Sequence, residues 1–329
     1  TTPCTNGTTG SDLICVDSEI SNGSGSFPID SIEMPNQQIP VSGTTNSDTF
    51  IVSSGFLTSK TIINGGEGED ILSLNLQNSV RSSPKISNIE TFTLKSLGDY
   101  SLDLSNVSDL QYILSEGSLG KVTVNGLQNA STIFGFSGSG ANNIILTGND
   151  LGGSTDVLEL KLIGAEDVSF QAPIGYERLD IELQGPSSIS SILASGISTT
   201  EIIGQGDLTI GSSISDMSSF SSKNLDGKIS SASLDYDGFS KSGVIGSILG
   251  TEVELGYASD NFYFVDKADA NALNTVHLGP GDDKITYVIS THSQNSINGD
   301  QGDDQFKMIG EKLALNDIFL GGDGLDTVI

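Results

Sequence analysis

This sequence predicts an all-β fold, an elongated parallel β-solenoid (β-roll). Three observations carry the prediction. Glycine-rich turns closing on an aspartate recur at near-constant spacing, and short alternating strands fill the intervals. The chain of 329 residues has 40 glycines, no tryptophan and only 6% aromatic residues. That composition disfavours a large α/β core and suits many short strands joined by many turns.

The turns are clearest between 256 and 329. Gly279-Pro280-Gly281-Asp282-Asp283, Gly299-Asp300-Gln301-Gly302-Asp303-Asp304 and Gly321-Gly322-Asp323-Gly324-Leu325-Asp326 each run into an apolar strand, at 285–288, 306–309 and 327–329. The closing aspartates Asp260, Asp283, Asp304 and Asp326 stand 23, 21 and 22 residues apart. A second feature recurs in phase: Asn274-Thr275-Val276, Asn295-Ser296-Ile297 and Asn316-Asp317-Ile318. One period therefore holds a strand, a loose connection, a second short strand and a turn. A unit this short cannot bury its apolar side chains alone, so copies stack, with one Gly/Asp corner per coil.

Read on to Ile329, the last turn matches the calcium-binding nonapeptide G-G-x-G-x-D-x-(apolar)-x at every specified position. Glycine opens the backbone conformations needed to reverse the chain with carbonyls turned inward. Calcium takes about six to eight oxygens, from carbonyls and carboxylates alike. Stacked corners supply both, with several ions lying between successive coils. Isolated Gly-Asp pairs are ordinary turn formers; an in-phase series ending in an intact nonapeptide is a stronger signal.

The same period appears near the other end. Gly43-Thr44-Thr45-Asn46-Ser47-Asp48 is a degraded corner, and Gly65-Gly66-Glu67-Gly68-Glu69-Asp70 an intact one 22 residues later. The strand 71–76 follows, then alternating residues over 86–94. Between about 95 and 250 the corners fade while strands persist, for example at 102–104, 122–124, 144–146, 158–162, 179–183 and 208–210. Gly152-Gly153-Ser154-Thr155-Asp156 and Gly138-Ser139-Gly140-Ala141-Asn142 are weak corners. Short helical pieces are expected near 109–115 and 311–315. The organisation is thus an extended leader or connection over 1–36, N-terminal coils over 37–100, a central solenoid with degenerate corners over 101–250, and a calcium-binding β-roll over 251–329. Ending inside a coil strand is expected of a fragment, because a solenoid needs a cap.

Fourteen Lys and Arg against 42 Asp and Glu give a net charge of −28, which makes nucleic acid an improbable partner. Such self-repulsion loosens a compact state unless cations offset it. Cys4 and Cys15 could close a small disulfide loop in an extracellular chain. No apolar run reaches membrane-spanning length and no signal segment opens the chain.

These corners, with Ile86-Ser87-Asn88-Ile89-Glu90-Thr91-Phe92-Thr93-Leu94 after a Gly-rich coil and the Ser-rich stretch 217–230 ahead of Gly256-Tyr257-Ala258-Ser259-Asp260-Asn261-Phe262, carry a resemblance. From about residue 40 onward the chain resembles the RTX-type bacterial surface-layer proteins and related calcium-dependent surface adhesins. The resemblance implies secretion through a type I exporter, folding outside the cell, and lateral self-assembly into a lattice on the bacterial surface, with cell-surface polysaccharide as a further partner. By motif position it implies Asp70, Asp283, Asp304 and Asp326 as calcium ligands beside the glycine carbonyls of Gly65, Gly66, Gly68, Gly279, Gly281, Gly299, Gly302, Gly321, Gly322 and Gly324. Asp48, Asp260, Asp300 and Asp323 complete the acidic set. The corners depart from the pattern where Leu278 and Asn298 replace glycine and where Gly256-Tyr257-Ala258 lacks its central glycine. They also stand one per period of about 22 residues, so calcium would line one edge.

No H-E-x-x-H, G-x-S-x-G, P-loop or C-x-x-C pattern is present. His277 and His292 read as strand or surface residues rather than catalytic bases. Asp235-Tyr236-Asp237-Gly238 opens like an EF-hand loop but lacks the closing glutamate. The expected function is therefore structural and non-enzymatic: a calcium-clamped surface-layer protein. A segment of a long adhesin ranks second, and the carrier region of a secreted enzyme third.

Overall fold

The structure, a computed structural model, describes residues 13–16, 39–140, 142–147, 156–172, 175–194, 196–211, 213–231, 243–266, 268, 272–288, 293–310, 313 and 316–329. Among them the protein is an all-β solenoid of parallel sheets, with a single 3-10 turn at Ser54–Phe56 as its helical element. The chain divides into two compact units, Thr1–Gly135 with Gly140–Asn149, and Phe136–Ser139 with Asp150–Ile329.

In the first unit, Leu13–Val16, Thr49–Ser53, Ile71–Leu76, Thr91–Ser96 and Tyr112–Glu116 pair in that order. Tyr100–Asp103, Lys121–Asn125 and Asn143–Thr147 form a second sheet. Ile39–Ser42, Thr61–Asn64 and Lys85–Ser87 form a third. The period-2 pattern decides what faces inward: Ile71–Leu76 buries all three of its leucines. In-register stacking then builds continuous apolar rows, Phe50, Leu72, Phe92 and Ile113 in one and Val52, Leu74 and Leu94 in the next. Each such side chain contributes roughly 1.5–3 kcal/mol on burial.

Three local expectations are corrected here. Residues 112–116 are a strand, not a helix; Ile113 belongs to an inward row, and Asp109 has a left-handed backbone (φ 69). The stretch 86–94 is two strands, Lys85–Ser87 and Thr91–Ser96, broken where Asn88 turns left-handed (φ 53). Within the leader, Leu13–Val16 adds a strand beside Thr49–Ser53. Cys4 of the possible Cys4–Cys15 pair, the Asp235–Gly238 turn, His292 and most of 311–315 lie outside the described residues.

The second unit has two facing sheets. One runs through Val157–Ile163, Arg178–Gln184, Thr199–Gln205, Ser219–Asp226, Glu252–Glu254, Leu273–His277, Gln294–Asn298 and Ile318–Leu320. The other includes Val168–Gln171, Ser187–Leu193, Leu208–Ile210, Ile229–Ser231, Asn261–Val265, Lys284–Val288, Gln305–Ile309 and Thr327–Val328. Phe220 on the first sheet meets Phe262 on the second with ring centroids 5.5 Å apart. Phe264 and Tyr287 stack along the second at 5.1 Å.

Register sets which residues recur together. Asn274 lies opposite Asn295. Because Ser296 pairs with Ile318, the next rung is Asp317 and not Asn316, one residue off the phase the sequence suggested.

Candidate metal centre

The corners occupy different joints in the two units. In the first, they lead from Ile39–Ser42 into Thr49–Ser53 and from Thr61–Asn64 into Ile71–Leu76. In the second, they lead from Leu273–His277 into Lys284–Val288, from Gln294–Asn298 into Gln305–Ile309, and from Ile318–Leu320 into Thr327–Val328. The ligand-like aspartate is in each case the residue just before the strand.

Within the second unit these aspartates form a ladder. The backbone N–H of Ile229 donates to Asp260 Oδ1 (2.6 Å), that of Asp260 to Asp283 Oδ1 (2.6 Å), that of Asp283 to Asp304 Oδ1 (2.9 Å), and that of Asp304 to Asp326 Oδ1 (3.0 Å). One oxygen of every carboxylate is thereby used. The other, Oδ2, is buried and without a hydrogen-bond partner in Asp260, Asp283 and Asp304. These three residues are at most 2% exposed, whereas Asp326 is exposed.

Burial without a partner disfavours the charged form. It pushes Asp260 up to about 7 and Asp283 up to about 8, and raises Asp304 as well; the backbone N–H donors pull the other way. Neighbouring aspartates add to the rise at Asp283 and Asp304.

The corner glycines make this packing possible. Gly302 has φ 137, and a Cβ there would overlap the Gly281 carbonyl oxygen of the preceding coil. A Cβ on Gly299 would overlap both the Gly321 carbonyl oxygen and Asp304 Oδ2. Gly279 and Gly324 abut the carbonyls of Gly256 and Gly302, and Gly322 that of Asp300, in the same way; Gly281 lies against Ala258 O, and Gly321 against Asp326 Oδ2. Backbone bonds tie the corners directly, Gly281 N–H to Gln301 O (2.7 Å) and Gly302 N–H to Asp323 O (2.8 Å).

The remaining acidic residues have other tasks. Asp300 Oδ2 accepts from Gly279 N–H and lies 3.3 Å from His277 Nδ1, at the outer side of the preceding coil. Asp323 is exposed and bridges to Gln301 through its backbone. Asp282 and Asp303 build an outer ladder in the opposite sense: Asp303 N–H donates to Asp282 Oδ1 (3.0 Å), and Leu325 N–H to Asp303 Oδ1 (2.8 Å).

In the first unit, Asp48 N–H donates to Asp70 Oδ1 (2.7 Å) and Asp70 N–H to Glu90 Oε2 (2.7 Å). Asp70 Oδ2 is buried and unpartnered, and burial raises its pKa. Gly65 and Gly66 lie against the Asn88 and Thr44 carbonyls, and Gly68 (φ 113) against the Asn46–Ser47 peptide. Asp48 differs. Its Oδ2 accepts from Thr44 N–H (2.5 Å) and from Thr44 Oγ1 (2.9 Å), a hydroxyl present because Thr44 stands where the intact motif has its second glycine.

Three residues contribute beyond what the sequence pattern assigned: Asp156, Glu90 and Glu177. Asp156, in the weak corner 152–156, also has a buried, unpartnered Oδ2, and its N–H donates to Glu177 Oε2 (2.8 Å). Glu90 and Glu177 are the matching rungs, placed one residue before a strand and one period after an aspartate. That spacing was the available signal.

Among the described residues, no three His, Cys, Asp or Glu side chains converge as a metal-binding group. The ladder offers one carboxylate per coil, so a cation there would complete its shell with backbone carbonyls. The unpartnered Oδ2 atoms fit a hard cation by charge and donor type. Compared with known proteins, the chain matches no family model, no curated protein and no solved structure.

Proposed function

We propose that this protein is a calcium-binding structural protein of a bacterial surface layer, secreted and self-assembling, with no catalytic role. The supporting observation is the recurrence of a buried, unpartnered Oδ2 at Asp70, Asp260, Asp283 and Asp304, in a chain of net charge −28. A buried carboxylate oxygen without a donor is costly unless a cation or a proton meets it. At neutral pH, outside a cell, calcium is the cation suited to a set of carboxylates and carbonyls. Asp70, Asp260, Asp283 and Asp304 would hold it, with Asp326 beneath the last rung and glycine carbonyls beside each; Asp48 is already satisfied by Thr44 and stands outside the set. Bound calcium would supply positive charge between coils, while the chain's own residues set the spacing.

The test is thermal unfolding and electron microscopy of the purified chain with millimolar calcium and with EGTA. Calcium is expected to raise the melting temperature and to produce ordered sheets or tubes. An unchanged melting curve would overturn the calcium reading. Calcium-stiffened particles that never assemble would overturn the surface-layer role in favour of an adhesin segment.

A further inference from the structure

In the second unit, the strands Glu252–Glu254, Leu273–His277, Gln294–Asn298 and Ile318–Leu320 are held at two ends, and the two ends differ in kind. The corner end carries the aspartate ladder with its unpartnered oxygens. The opposite end, where the chain returns from the facing sheet, carries a buried ladder of amides. Asn274 Oδ1 accepts from Thr251 N–H (3.0 Å), and Asn274 Nδ2 reaches Asn295 Oδ1 (2.9 Å), Asp266 Oδ1 (2.9 Å) and Tyr287 Oη (3.2 Å). Tyr287 Oη donates to Asn295 Oδ1 (2.6 Å), and Asn295 N–H and Nδ2 both donate to Asp317 Oδ1 (3.0 Å each).

The one fully enclosed carboxylate here, Asp266, is 5% exposed. It accepts from Ala268 N–H (2.8 Å), Asn274 Nδ2 and Ser293 Oγ. Not one side-chain oxygen or nitrogen in this network is left buried without a partner. Its donors already do what a cation would do at the corners. A satisfied buried network rigidifies, whereas a half-satisfied one is a weak point.

We infer that the amide ladder is a cation-independent hinge, about which the corner edge of these coils opens when calcium is withdrawn. This rests on the calcium reading of the corners. Coils would then stay in register in low calcium and re-close without refolding. Register is kept because a one-residue slip would break every amide rung at once and turn each buried row outward.

Amide hydrogen exchange with and without EGTA tests it. Calcium removal is expected to speed exchange at Asp260, Asp283 and Asp304 by at least ~100-fold, while Thr251, Ala268 and Asn295 change by less than about 3-fold. Ser293→Ala and, separately, Asn295→Asp are expected to fold in calcium but to lose protection at Thr251 and Ala268 in EGTA. Exchange rising at both ends together in the unmodified chain would overturn the hinge while leaving the calcium reading intact. Variants that leave Thr251 and Ala268 as protected in EGTA as in the unmodified chain would also overturn it. Corner amides indifferent to calcium would overturn the calcium reading and the hinge with it.

Discussion

Asp283 and Asp48 show how one side chain sets the chemistry of a corner. Both are about 1% exposed, and the backbone N–H of each donates to the aspartate Oδ1 of the next coil. Asp283 keeps an unpartnered Oδ2, while Thr44 fills that role for Asp48. Asp283→Asn should therefore shrink the calcium-induced rise in melting temperature, and Asp48→Asn should leave that rise unchanged while costing about 1 kcal/mol in either buffer. Calorimetric melting of the two variants distinguishes them. The pH response follows from the same carboxylates. Folding holds Asp260 near 7 and Asp283 near 8, above the ordinary value of about 4. The protonated form is favoured in the folded state, so this contribution is complete below about pH 4 and is lost as pH rises through 7 and 8. In EGTA the melting temperature should fall from pH 5 to pH 8.5, and calcium should flatten that fall by replacing the proton. A rise over the same interval in EGTA would contradict the assignment.

At the level of elements, the corners matter more than the ion pairs on the sheet faces. Gly302→Ala places a Cβ against the Gly281 carbonyl at φ 137, and should cost at least ~1–3 kcal/mol by equilibrium denaturation. On the exposed face, Arg178 bonds Asp180 and Glu201 at 2.6 Å each, and Lys223 bonds Glu254 at 2.7 Å. These groups are partly exposed, so Arg178→Ala should cost less than about 1 kcal/mol. The strands themselves were legible from alternation: Ile71–Leu76 and Leu208–Ile210 fall where the sequence put them. Two of the misread elements, 86–94 and 109–115, are those in which one left-handed residue, Asn88 or Asp109, redirects the chain. Nothing in their neighbours' polarity announced that turn.

For the molecule as a whole, a charge of −28 acts over distance while the corners act by contact. Ordinary salt screens exposed charges beyond about 8 Å at physiological strength and buried ones much less. Sodium chloride added in EGTA should therefore raise the melting temperature gradually without reproducing the effect of millimolar calcium. Equal stabilisation by the two at matched ionic strength would show that screening alone is at work.

The amino-acid order alone determined the period of about 22 residues, the Gly/Asp corner positions and the inward alternation of the strands. Each of these depends on residues close together in the chain. Tertiary structure alone decided that Asp48 is satisfied by Thr44, that Asp156 belongs with the corner aspartates, that Asp317 rather than Asn316 follows Asn295, and that Oδ2 is the atom left without a donor. Those outcomes turn on which atoms meet across neighbouring coils, about one period apart. A shift of a single residue in stacking register changes every such pair.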